Sequence, residues 1–352
     1  MITIDQNKIT AAFLGILALI SVGFVLQVAQ SVFIPLVIAW LLSYILGPVV
    51  NLMTRRRIPT GIAVFFVLLL VFGVCYLAGI FFHQRFMTFV QAYPRYAQRL
   101  NDLLLTLSQD WDYNPLQDFN WVQKGSTYLL SLSQPVLSFI SKLIMVIIFL
   151  VFLLLGKPFF QYKVHKAFSH TNAEHVTAII NSIATQIGQY LGVQFLISLA
   201  TGFLVWAALT IIGVDFAITW GALAFFLNFI PTIGSIVASI PPILLALIQF
   251  HPSLMKVFVT IAAVLTIQMV MGNVVAPKVL GDRLNLSPVV VLVSLLFWGW
   301  LWGIVGALLS VPIAAMIKIV CENIEPLQPI SILMGSGKSF RKEFSQPAPA
   351  PG

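Results

Sequence analysis

The sequence predicts an all-α, polytopic transmembrane protein, and three observations carry that reading. Hydrophobic residues make up 59% of the chain and charged residues only 9%, against about 25% charged in soluble domains. The apolar residues gather into runs of membrane-spanning length, about 20 residues each. Two further runs, Phe216–Phe250 and Pro288–Val320, are 35 and 33 residues long. Each is too long for one crossing and is interrupted near its centre by helix-hostile residues. The expected fold has six spanning helices plus two re-entrant helical hairpins in inverted repeats, with a small extracytoplasmic helical insert.

The six spans fall at Ile9–Gln27, Val32–Leu52, Thr60–Phe82, Val136–Leu155, Leu191–Ile212 and Leu254–Val275. Few residues separate the first two, which are therefore expected to form a tight hairpin. Arg55-Arg56-Arg57 follows the second span, and cytoplasmic loops carry the excess of Lys and Arg. Placing the triplet inside puts Lys8, Lys157, Lys163, Lys166, Lys278, Arg283, Lys318, Lys338, Arg341 and Lys342 inside with it. Arg85, Arg95, Arg99, Lys124 and Lys256 are then outside, and Lys142 lies within a span. Both termini are expected in the cytoplasm of a bacterial inner membrane. Charge placement is the same whether the broken segments re-enter or make two short passes. The net charge of +8 thus reads as membrane topology, and no nucleic-acid partner is expected. Lys8 precedes an apolar run without an A-x-A-like site, so an uncleaved first span is expected. Cys75 and Cys321 give no disulfide framework.

These elements divide the chain into a scaffold of three spans (1–82), an extracytoplasmic helical domain (83–135) and a fourth span with a cytoplasmic amphipathic helix (136–190). In that helix Thr171-x-x-Glu174 has the form of a capping box, and Val176, Ile179, Ile180, Ile183 and Ile187 share a face. A transport unit (191–320) and a cytoplasmic tail (321–352), Pro- and Ala-rich at its end, complete the chain.

The broken segments align on one another with a shift of 71 residues. Phe226 pairs with Phe297, Ile233 with Ile304, Ser239 with Ser310 and Pro241 with Pro312. Interrupted segments in corresponding halves point to a transporter's binding site. The candidate substrate- or ion-binding residues are accordingly Asn228, Pro231, Gly234, Asn273, Pro277, Gly299 and Gly303. An Asn amide in hydrocarbon must find partners, so each Asn either ties helices together or meets a ligand. Pro231 removes a backbone donor and so frees carbonyls in the preceding turn. Gly299 and Gly303, flanked by Trp298, Trp300 and Trp302, can instead mark close helix packing. Lys278, Asp282 and Arg283 form a candidate gating cluster near the inner face.

No Asp or Glu falls inside any span, and all five histidines lie in loops. Intramembrane proteolysis and proton relays need such groups at depth, so no enzyme, metal or cofactor is expected. Gly335-Ser336-Gly337-Lys338-Ser339 imitates a phosphate loop, but Ile332 stands where its first glycine is required.

The motifs W-G-x-L-A-F-x-L-N-F-I-P-x-I-G-S at Trp220–Ser235, S-I-P-P at Ser239–Pro242, G-N-x-x-x-P-x-x-x-G at Gly272–Gly281 and F-W-G-W-L-x-G-x-x-G-x-L-L-S-V-P at Phe297–Pro312 resemble the autoinducer-2 exporter family of bacterial membrane proteins. The likeness is dense from Gly192 to Glu322 and thinner before it. It implies an inner-membrane transporter with re-entrant hairpins and a homo-oligomeric assembly, a pentamer being the arrangement it suggests. Three functions stay open. The leading one is alternating-access export of a small polar metabolite such as autoinducer-2, a furanone-type quorum-sensing signal. The others are sodium(cation)/proton antiport, associated with some relatives, and a non-transporting membrane scaffold.

Overall fold

The computed structural model describes residues 6–107, 125, 127, 136–167, 170–230, 233–280 and 286–337, and the regular structure among them is helical apart from one isolated Leu286–Gly335 bridge. In chain order the helices are α1 (Gln6–Val28), α2 (Gln30–Arg55), α3 (Thr60–Leu107), α4 (Val136–Ala167), α5 (His170–Ile212), α6 (Ala217–Leu227), α7 (Ile233–Phe250) and α8 (Leu254–Val270). A π turn (Met271–Val275), α9 (Ala276–Leu280), α10 (Pro288–Asn323) and a short α11 (Gln328–Met334) follow. Six described helices are long and apolar enough to cross a membrane. They include the expected second, third, fifth and sixth spans; the other two, Ile233–Phe250 and Pro288–Asn323, belong to the broken segments.

Three expected boundaries are displaced. The first two spans do not form a tight hairpin: only Ala29 separates α1 from α2, with φ −94° and ψ 22°. Ala29 N–H donates to the Val25 carbonyl and its own carbonyl accepts from Phe33 N–H. Both are i→i+4 bonds, so helical turns continue on each side of Ala29 and the axis bends there without folding back as a hairpin. The third span continues through Phe82 to Leu107 as one helix of 48 residues, about 70 Å long. The first part of the insert is therefore an extension of α3; residues 108–124 and most of 125–135 lie outside the described residues. The amphipathic segment and the fifth span are likewise one helix, α5, which starts at His170, ahead of the anticipated cap Thr171.

Both broken segments reverse direction. Between α6 and α7 the chain turns back after Leu227, and a Cβ added to Gly234 would lie 1.8 Å from the Leu227 carbonyl oxygen and 3.2 Å from Ile230 Cβ. Within α10 the break is at Gly303, with φ 64° and ψ −143°, a region that only glycine occupies without strain. Residues 288–302 and 304–323 are thus separate arms. Ser294 Oγ donates to the Ser310 carbonyl at 2.8 Å, although residues 16 apart on a straight helix would be separated by about 24 Å. A Cβ on Gly306 would lie 1.9 Å from the Trp298 carbonyl oxygen and 2.9 Å from Trp302 Cβ. The two turns are near copies, each closed by a glycine pressed onto a carbonyl of the opposite arm. That carbonyl belongs to Leu227 in one and Trp298 in the other, the pair that the 71-residue shift aligns. The second turn holds one residue more.

The hairpins settle in different cores. The first joins α5 and α8 around Val205, Leu209, Trp220, Leu245 and Val264. The second packs Leu301, Trp302, Val311 and Met316 against Leu41 of α2 and Ile187, Tyr190 and Leu191 of α5. A third core, with Ala39, Val64 and Leu150, joins α2, α3 and α4. Rather than meeting, the hairpin tips hold separate partners. Asn228 is bonded to α5, whereas Trp302 Nε1 donates to the Leu26 carbonyl of α1 at 3.1 Å. At its base the first hairpin is closed by Gln249, whose side chain accepts from Asp215 N–H and donates to the Gly213 carbonyl. Tyr96 of α3 donates to the Asp215 carboxylate.

Gly306→Ala forces a methyl group against backbone and is expected to destabilise the protein by about 1–3 kcal/mol, the usual range for overpacking. Gly299→Ala meets nothing nearer than Ala307 Cβ at 3.8 Å and is expected to be near neutral. Melting temperatures in detergent for the two variants test the difference; equal values would mean that the Gly306 turn is not closed as described.

Candidate substrate site

Helix α5 presents Gln194, Ser198 and Gly202 to the first hairpin at intervals of four residues, one face of a helix. Gly202 permits the closest approach. A Cβ there would stand 2.7 Å from the Gly221 carbonyl oxygen, and one on Gly221 would stand 2.7 Å from the Gly202 carbonyl oxygen. Backbones that approach so closely are joined by small residues. The contact brings the hairpin tip down onto the polar part of the stripe. There Asn228 Nδ2 donates to Ser198 Oγ at 3.0 Å, and Gln194 Nε2 donates to the Asn228 carbonyl at 2.9 Å.

The carbonyls that Pro231 was expected to free are occupied. Ala224 O accepts from Asn228 N–H, Phe226 O from Phe229 N–H, Leu227 O from Ile230 N–H and Ile230 O from Gly234 N–H. Gln194 takes Asn228 O. The described carbonyls ahead of Pro231 from Ala224, Phe226, Leu227 and Asn228 are thus engaged within the protein.

Beside it lies a cavity of about 370 Å³, within the size range of small-molecule sites. Its polar lining comes from Gln194 of α5, Asn228 of the tip, Ser235 and Ser239 of α7, Gln268 of α8 and Asn273 of the π turn. Apolar walls come from Ile197, Ile236, Leu265 and Met269, and among the described residues no ionisable side chain lines it. Ser239 Oγ is turned back onto the Ser235 carbonyl at 2.7 Å. The π turn has a cause in the sequence. Pro277 has no N–H to give the carbonyl four residues back, at Asn273, and the ladder widens so that Ala276 N–H reaches Met271 O. Such single-turn bulges recur at functional sites.

The comparison with known proteins follows this geometry. Residues 14–325 match the AI-2E family transporters. The chain belongs to the AI-2E transporter family. It is 34% identical over 325 residues to a putative transport protein of Borreliella burgdorferi, covering 92% of this chain and 90% of that one. It is 32% identical over 343 residues to the AI-2 transport protein TqsA of Escherichia coli, covering 95% and 97%. A putative transport protein of Haemophilus influenzae is 32% identical over 360 residues, covering 96% and 100%. The protein is thus a multi-pass membrane protein of a transporter family.

Within this AI-2E chain the sequence-derived candidates separate. Asn228 and Asn273 share the cavity, and Gly234 closes the turn above it. Pro277 and Lys278 are exposed on α9 beyond the lining. Gly299 and Gly303 belong to the second hairpin and do not reach the cavity, because that hairpin packs in the α2 core. Pro231, Asp282 and Arg283 lie outside the described residues. Sequence reading passed over Gln194, Gln268, Ser235 and Ser239. The signal that singled out the two asparagines, a polar side chain inside an apolar run, applied equally to both glutamines. Among the described residues no group of three or more His, Cys, Asp or Glu gathers for a metal.

The Asn228–Ser198 bond is open to a direct energetic test. Asn228→Ala and Ser198→Ala are each expected to cost about 1 kcal/mol. In a double-mutant cycle on denaturation they should show a coupling of about 0.5 kcal/mol or more. Strict additivity would show that the bond does not hold the tip.

Proposed function

We propose that the protein is a secondary transporter that exports a small, neutral, polar metabolite from a bacterial cell across the inner membrane by alternating access, with autoinducer-2 as the leading candidate. The observation that carries the reading is the cavity between α5, the first hairpin tip and the α8–α9 π turn. Its amides and hydroxyls can donate to and accept from a hydroxylated ligand, and among the described residues it offers no fixed charge to hold an ion. The match to TqsA, named as an AI-2 transport protein, supports the choice of substrate class. Sodium(cation)/proton antiport is the weaker reading. The carbonyls of Ala224, Phe226, Leu227, Asn228 and Ile230 are engaged internally, and among the described residues no carboxylate lines the cavity.

Movement of the first hairpin with α8 against α2–α4 is the proposed access step, because the second hairpin shares a core with α2. Cytoplasmic termini are part of the proposal, supported by the excess of Lys and Arg in the loops, and a homo-oligomer in the lipid bilayer is the proposed assembly.

Protein reconstituted in liposomes should carry autoinducer-2 saturably. Gln268→Leu and Asn273→Leu should each raise KM about fivefold, the loss of one hydrogen bond of about 1 kcal/mol, with the melting temperature less affected than by Asn228→Ala. Sodium-driven proton flux without metabolite transport would favour the antiporter and overturn the reading.

A further inference from the structure

A second and larger cavity, about 680 Å³, opens between α2, α4 and α5. Its polar lining includes Asn51 and Thr54 of α2, Lys157 of α4, and Asn181, Thr185 and Gln189 of α5. It is not a continuation of the substrate cavity. Thr185 and Gln194 are nine residues apart on α5, as are Gly188 and Ile197, and nine residues are about two and a half helical turns. The two cavities therefore lie on opposite faces of α5, with buried Tyr190 and Leu191 between them.

Lys157 gives this cavity its character. A Cβ on Gly47 would stand 3.0 Å from Lys157 Nζ, so the ammonium lies against the α2 backbone in the gap between helices. Among the described residues it has no carboxylate within ion-pair distance, and no acidic side chain lines the cavity. Thr60, at the start of α3, also contributes to the wall. Arg55, Arg56 and Arg57 thus occupy the short connection between two lining residues, Thr54 and Thr60, and all three are exposed. Val49 and Leu52 on α2 and Phe152 and Leu155 on α4, sequence neighbours of lining residues, are exposed apolar side chains. Lys157 is exposed at the cavity mouth, and an ammonium without a carboxylate partner among the described residues, beside Asn181 and Thr185, fits an anion with several acceptor oxygens; Lys is a common phosphate binder as a point charge.

We propose that this cavity binds a phosphate group on Lys157, carried by a membrane phospholipid or free in solution. The full-length protein in an uncharged detergent would be titrated separately with phosphatidylglycerol, with diacylglycerol (which lacks the phosphate) and with inorganic phosphate, following the melting temperature. Saturable stabilisation by phosphatidylglycerol alone identifies a lipid phosphate; stabilisation by inorganic phosphate identifies a free anion. In either case Lys157→Gln should weaken the apparent affinity about tenfold, a loss of about 1.4 kcal/mol, while Lys157→Arg and Lys256→Gln retain it. Should Lys157→Gln fail to fold, Thr185→Leu, which fills the cavity and keeps the charge, should abolish the response. Equal stabilisation by diacylglycerol, no response to either phosphate, or an affinity untouched by Lys157→Gln and Thr185→Leu would overturn the proposal.

Discussion

Everything from α5 to the end of α10 depends on reversing a chain where water is scarce. A backbone that leaves the helical ladder inside an apolar surround must still pair its polar groups, since each unpaired one costs several kcal/mol. The first hairpin meets the requirement with local bonds from Ala224 to Gly234 and with two side chains lent by α5. In the second, Gly303 carries the break, Ser294 bonds across to the opposite arm, and Trp302 anchors the tip to α1. In both, a glycine lets one arm lie on a carbonyl of the other. The polar residues of the first turn thus have a structural task before any ligand is considered, and what remains for a ligand is the part of Asn228, Gln194 and Ser235 that faces the cavity.

Helix α5 is the element on which these solutions converge. Its Gln194–Gly202 stripe seats the first hairpin, while its Ile187–Leu191 stretch is buried against the second. Its 43 residues are well beyond one membrane crossing. That excess lets one helix carry both an amphipathic part and a span, and it explains why the two hairpins need not touch to belong to one body.

The overall class and the existence of both hairpins were legible in the sequence because they rest on composition, run length and turn residues. The equivalence of Leu227 and Trp298 was legible for the same reason. Boundaries were not. The expected end of the third span at Phe82 used the length of a bilayer as its stop signal, but no Gly or Pro follows there to end the helix, and α3 runs on through it. The hairpin expected at Ala29 failed similarly, because a short polar gap allows a turn without requiring one. Gly299 and Gly303 were singled out by their spacing, yet the turn uses Gly303 for its torsions and Gly306 for its clearance. Only the tertiary fold shows which carbonyl each glycine faces.

The cavity shows what sequence can and cannot join. Asn228 and Asn273 were each marked as a polar side chain inside an apolar run, with nothing in the sequence to show that they share one wall. Their meeting follows from two backbone events. Gly202 and Gly221 bring α6 onto α5, which sets the depth of the Asn228 tip, and Pro277 widens the helix at Asn273. Neither event creates charge. The space between them is therefore walled by amides, hydroxyls and hydrocarbon, a surface that discriminates by hydrogen-bond geometry and size. For such a site, a ligand missing one hydroxyl leaves a buried amide unpaired. That cost, about 1–3 kcal/mol, is how the proposed site would select among small polar molecules.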